Sequence, residues 1–167
     1  MTKSKQVAAL IAEEMASCDI KLVATLPDTW INELIDVIDA DSRFTHVPVN
    51  REESAVGLCS GAYMGGVGSA ALMGASGLMT LIYAITKINY TYEIPLFTII
   101  TLRGAFGDEQ KHHQSNGLYL LPVLETINLP YTIIKQPEDI YMISRVYKHC
   151  RAYVRPTVVA LTRDLLV

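Results

Sequence analysis

Short apolar runs, unbroken by polar alternation, recur along this chain between stretches whose apolar residues fall at helical spacing. That switching of period constrains the fold more than any other feature. Val7, Leu10, Ile11 and Met15 share one helical face, and a short apolar run from Lys21 to Ala24 follows. The same change, repeated, predicts strands near 21–25, 45–49, 69–73, 96–101, 131–135 and 157–161. Helices are predicted near 3–17, 29–39, 51–64, 77–90, 116–126 and 138–152. The runs Leu96 to Thr101 and Pro156 to Leu161 lack strict alternation, as expected of strands covered by helices on both faces. With right-handed crossovers, the expectation is a single doubly wound α/β domain over 1–167, with a six-stranded parallel sheet flanked by helices.

Composition narrows the partners. The 167 residues, half of them hydrophobic, suffice for one core. A net charge of −3 without a basic run argues against nucleic acid or an anionic membrane surface, and leaves small ligands open. Cys18, Cys59 and Cys150 are odd in number and widely spaced, which suggests reduced thiols and no metal site. No apolar stretch approaches the length of a membrane span and no leader pattern is present, so a cytoplasmic location is expected.

In open α/β sheets ligands bind beyond the carboxyl ends of the strands, here the turns at 25–29, 49–53, 73–78 and 101–117. The stretch Gly66-Val-Gly68-Ser-Ala-Ala71 loosely fits a dinucleotide fingerprint, but it follows a predicted helix and precedes a strand, the reverse of what a phosphate cradle requires. Neither a P-loop nor a zincin or serine-hydrolase motif occurs.

Two turns carry unusual chemistry. In Val49-Asn-Arg-Glu-Glu-Ser-Ala-Val-Gly57, Glu52 is either a helix-start acid or a catalytic group. Asn50 as N-cap and Glu53 as its capping-box partner account for one acid, and Glu52 exceeds what capping needs. Ala55, Gly57, Cys59, Ser60, Gly61 and Ala62 give the helix little bulk, so another body can approach it closely. The second turn runs from Arg103 through Lys111, His112 and His113; by composition it reads as a mobile surface loop. His46 and His149 read as structural.

Pro48-Val-Asn-Arg-Glu-Glu-Ser-Ala-Val-Gly-Leu-Cys-Ser-Gly-Ala-Tyr63 resembles the cofactor-activating segment of thiamine-diphosphate-dependent 2-oxo acid decarboxylases, within their pyrimidine-binding domain. Leu26-Pro-Asp-Thr29, Arg51-Glu-Glu53, Met73-Gly-Ala-Ser-Gly-Leu78, Ile94-Pro95 and Leu102-Arg-Gly104 through His113 to Gly117 follow in order. As a set they are similar to the alpha subunits of sulfopyruvate decarboxylases and the N-terminal part of phosphonopyruvate decarboxylases, over roughly 5–165.

The resemblance implies that Glu52 bonds N1′ of the cofactor's aminopyrimidine, and that Pro27, Ser76 and Gly77 contact the cofactor. It implies His113 as a proton relay or a carboxylate holder, and Arg103, Lys111 and His112 as contacts for an anionic substrate such as sulfopyruvate or phosphonopyruvate. Two departures stand out. The family's amide-bearing turn after the third strand is replaced by Met73-Gly-Ala-Ser-Gly-Leu-Met-Thr80. The Gly-Asp-Gly motif that holds Mg²⁺ and the diphosphate has no counterpart, since Gly107-Asp108-Glu109 lies in the wrong context. The implied partner is a beta subunit carrying that second domain, in an assembly of at least α2β2. A non-catalytic, regulatory subunit of the same type is the alternative.

Overall fold

The computed structural model describes residues 2–167. Six strands, β1 (Ile20–Thr25), β2 (Thr45–Pro48), β3 (Gly68–Gly74), β4 (Phe97–Thr101), β5 (Tyr131–Ile134) and β6 (Thr157–Leu161), form one sheet in the order β2-β1-β3-β4-β6-β5. Every neighbouring pair is parallel. Their residues alternate between two cores. Val23, Leu72, Ile99 and Val159 point to one, and Ala24, Met73, Ile100 and Ala160 to the other. This two-sided burial explains why the strands read as plain apolar runs.

One face is covered by α1 (Lys3–Ser17), α2 (Asn32–Ala40), α7 (Met142–Tyr153) and a short α8 (Arg163–Leu166). The other is covered by α3 (Glu52–Met64), α4 (Ala75–Thr80), α5 (Ile82–Ala84) with the π-turn Ile85–Tyr90, and α6 (Gln114–Thr126). From β1 the chain steps outward to β2, then crosses back to β3 on the other side. The segments leaving β1 and β3 therefore diverge over opposite faces and leave a crevice at their carboxyl ends.

The expected doubly wound domain is the observed one, with local differences. The helix expected at 77–90 is two short pieces and a π-turn, in which the fully buried Asn89 donates to Ser60 Oγ at 3.2 Å and to the Ile94 carbonyl at 3.1 Å. The helix expected from 29 begins at Asn32, because Asp28 holds the preceding turn: it accepts the Trp30 N–H on Oδ1 and the Ile31 N–H on its carbonyl. The short C-terminal helix α8 was not expected from the pattern.

The start of α3 corrects the capping assignment. Arg51 is the N-cap, with extended backbone (φ −147°, ψ 144°), and no side chain caps the helix. Neither Asn50 nor Glu53 forms a capping box, since Glu52 and Glu53 occupy the first two helical positions and Glu53 instead faces Arg51, 3.7 Å from its Nε. Two acids in the first turn still favour the positive end of the helix.

Candidate functional site

Glu52 lies where β2 ends and α3 begins, half-buried at the carboxyl edge of the sheet. Among the described residues its carboxylate has no hydrogen-bond or ion-pair partner. Its nearest wall is α4: a Cβ added to Gly77 would stand 2.7 Å from Glu52 Cγ and 2.8 Å from Oε1. Only glycine at 77 leaves room for the acid. Ser76, one residue earlier, bonds the buried Asn116 of α6, whose Nδ2 donates to Ser76 Oγ at 3.0 Å. Asn116 escaped the sequence reading. Its signal is a polar residue in the buried stripe Asn116, Leu120, Leu124 at i, i+4 and i+8.

A second constellation adjoins through Asp28, whose Oδ2 would stand 2.7 Å from a Cβ on Gly74, the last residue of β3. Asp28 Oδ1 accepts from Arg103 Nη2, which also donates to Thr29 Oγ1 at 2.9 Å. The guanidinium carbon lies 3.6 Å above the centre of the Trp30 ring. Arg103, expected to meet substrate, is thus a buried side chain tying the loop after β4 to the turn after β1. Its Nε is buried without a partner.

Beyond Trp30 lies His113, with ring centres 6.0 Å apart and edge-on. His113 Nδ1 is 2.8 Å from Asp108 Oδ2, and both side chains are almost fully enclosed. Asp108 also accepts the backbone N–H groups of Gly104 at 2.9 Å and Gln110 at 3.2 Å. Burial alone would raise the Asp108 pKa, but these two N–H donors and His113 together bring it down from 3.8 to about 2. The segment expected as a mobile loop is therefore tied down by one carboxylate. It also crosses α6 in backbone contact, where a Cβ on Gly104 or on Gly117 would collide with the other's main chain. Gly104 further takes φ +77°, which glycine adopts without strain.

Thus Glu52, Gly77 and Ser76 come together, and His113 stands in the adjoining network. Lys111 and His112 are exposed in the 3₁₀ turn before α6, and Pro27 is exposed after β1; no hydrogen bond or ion pair joins these three to Glu52. His46 is structural, bonded to Thr25 Oγ1 and Asp39 Oδ1, each at 2.7 Å. His149 stacks on Tyr153, away from this edge. The glycine-rich 65–68 segment closes α3 and enters β3, at the opposite end of the sheet from Glu52. Among the described residues no group of three or more His, Cys, Asp or Glu is arranged to hold a metal, and no helix is long and apolar enough to cross a membrane.

No family model matches the chain. It is similar to the sulfopyruvate decarboxylase subunit alpha of Methanococcus maripaludis, with 34% identity over 122 residues that cover 73% of each chain. The corresponding subunit of Methanocaldococcus jannaschii is 30% identical, over 86% of this chain and 83% of its own. A phosphonopyruvate decarboxylase of Streptomyces viridochromogenes is 26% identical over 87% of this chain and 36% of its own. Among solved structures, 2-oxoglutarate:ferredoxin oxidoreductase from Magnetococcus marinus superposes with TM-score 0.70 and 12% identity, over 99% of this chain and 29% of that one, a likeness of fold.

Proposed function

This chain belongs to the sulfopyruvate decarboxylase alpha-subunit family, and from that premise we propose that it is the pyrimidine-binding half of a thiamine-diphosphate-dependent 2-oxo acid decarboxylase. Sulfopyruvate is the first substrate, giving sulfoacetaldehyde and carbon dioxide; phosphonopyruvate is the next. The observation that carries the reading is Glu52, a half-buried carboxylate with no protein partner, lodged against a glycine that leaves it room. An acid that the fold shelters but does not pair fits a ligand nitrogen.

When bound, thiamine diphosphate supplies an electron sink for the pair released as the substrate carboxylate departs. The chain's own residues supply position and proton control. Glu52 holds a proton shared with N1′ of the aminopyrimidine, in surroundings where burial strengthens the bond. Ser76 and Gly77 form the neighbouring wall, with Asn116 steadying Ser76, and Pro27 meets the cofactor from the turn after β1. His113, its Nδ1 engaged by Asp108, keeps Nε2 for a proton or the substrate carboxylate. Lys111 and His112, exposed beside it, meet the second anionic group, while Arg103 orders the wall behind them.

The diphosphate and Mg²⁺ belong, in this reading, to a beta subunit in an assembly of at least α2β2. The relatives named as alpha subunits support this, as does a sulfopyruvate decarboxylase of Methanosarcina acetivorans, 32% identical, of which this chain covers only 35%. So does the bare surface of α3, where a Cβ at Gly57 or Gly61 would meet nothing within 4 Å and Met64 is 77% exposed. Three unpaired cysteines suit a cytoplasmic setting.

The test is Glu52→Gln in the complex reconstituted with its beta subunit. Turnover of sulfopyruvate should fall by roughly 10²–10⁴-fold, the range for a positioned proton-transfer group. Turnover near that of the wild type would remove Glu52 from the mechanism.

A further inference from the structure

At the opposite end of the sheet from Glu52, a cleft of about 310 Å³ opens between α7 and the starts of β5 and β6. That volume is at the small end of the range ligand pockets occupy. From α7 come Met142, Arg145, Val146 and His149, at i, i+3, i+4 and i+7, hence on one stripe of the helix. It is not the stripe buried in the core, which carries Ile143, Tyr147 and Cys150. Pro130 and Thr157 belong to the facing wall.

Two properties of this cleft are independent of one another. Its charge is one-sided: Arg145 lines it, with His149 one turn further along α7, and no Asp or Glu does. Among the described residues Arg145 has no carboxylate partner, and its guanidinium lies over the Tyr141 ring at 5.1 Å. Between Arg145 and His149 the surface is apolar, from Met142, Val146 and Pro130.

The geometry points to a second small-molecule site here, for an organic anion with a short apolar body. The body lies on Met142, Val146 and Pro130, and the carboxylate or sulfonate meets the Arg145 guanidinium, which takes such groups in bidentate fashion. The cleft lies against β5, the edge strand at the far side of the sheet from β2 and Glu52, so its ligand does not compete for the Glu52 site.

The experiment follows the ε-methyl NMR signal of Met142 in the 167-residue chain, alone and in complex with its beta subunit. Hexanoate, 1-hexanol and hexylammonium are titrated as probes that share one tail. Hexanoate should shift the signal and saturate, binding at least ~10-fold more tightly than hexylammonium. Arg145→Gln should weaken hexanoate by ~10-fold, and Val146→Phe, which fills the cleft, should abolish the shift. Glu52→Gln should leave hexanoate binding unchanged. The proposal is overturned if Met142 does not move by ~20 mM hexanoate, or if hexylammonium binds equally well. It is also overturned if Arg145→Gln has no effect, or if binding vanishes in the complex because the partner covers the cleft.

Discussion

Glu52 and Gly77 are 25 positions apart in sequence and in contact in the fold. The acid is legible in the sequence because two successive glutamates exceed what a helix start requires. Its pocket is not, because nothing local says that Gly77 abuts it. The contact makes a prediction of its own. In Gly77→Ala the new Cβ falls within 3 Å of Glu52 Cγ and Oε1, the movable end of a side chain and not backbone. The carboxylate should swing aside at little expense to the fold. Turnover in the complex should fall at least ~10-fold, because a small misplacement at a reacting group is enough for that. The midpoint of thermal unfolding should stay within about 3 °C, corresponding to under ~1 kcal/mol. A variant as active as the wild type would mean that the close approach is incidental. Arg103 shows the opposite lesson. A loop arginine suggested ligand contact, but the fold supplies Asp28 and Thr29 first, and a buried guanidinium takes the partner that is already desolvated.

At the scale of elements, the loop from Gly104 to His113 illustrates how one carboxylate replaces regular structure. Its composition reads as mobile, yet Asp108 gathers two backbone N–H groups and an imidazole. The pH dependence follows from the lowered pKa. A carboxyl at 3.8 unfolded and about 2 folded contributes stability that is present above pH 4 and lost as pH falls through 2. At ~1.4 kcal/mol per pH unit the contribution is about 2 kcal/mol. In urea unfolding, Asp108→Asn should therefore be less stable than the wild type at pH 6, with the gap closing between pH 4 and pH 2. A gap of constant size across that range would show that the Asp108 charge does not hold the loop. The start of α3 is the element the sequence misjudged. A capping box was expected at Asn50 and Glu53, but β2 ends so close to the helix that Arg51 becomes the N-cap, and the helix begins at Glu52.

For the whole molecule, the edge that carries Glu52 is half of a site in the proposed function. Calorimetry of thiamine diphosphate with Mg²⁺ should show negligible binding to the chain alone and saturable binding once the beta subunit is added. No binding in either case would favour the regulatory alternative, for which the altered turn at 73–80 is the motive. The alternation of period determined by itself that this is a doubly wound parallel α/β domain, because strands buried on both faces must be apolar throughout and helices on both faces must show period 3.6. Local pattern also placed Glu52 and His113 in turns at the carboxyl edge of the sheet. What only the tertiary structure decided is which turns meet: Glu52 with Gly77, Asn116 with Ser76, Asp28 with Arg103, Trp30 with His113. Those contacts depend on the strand order β2-β1-β3-β4-β6-β5. Periodicity reports how each segment is buried and not which neighbour buries it, so the pairing of turns is fixed only when the whole sheet has assembled.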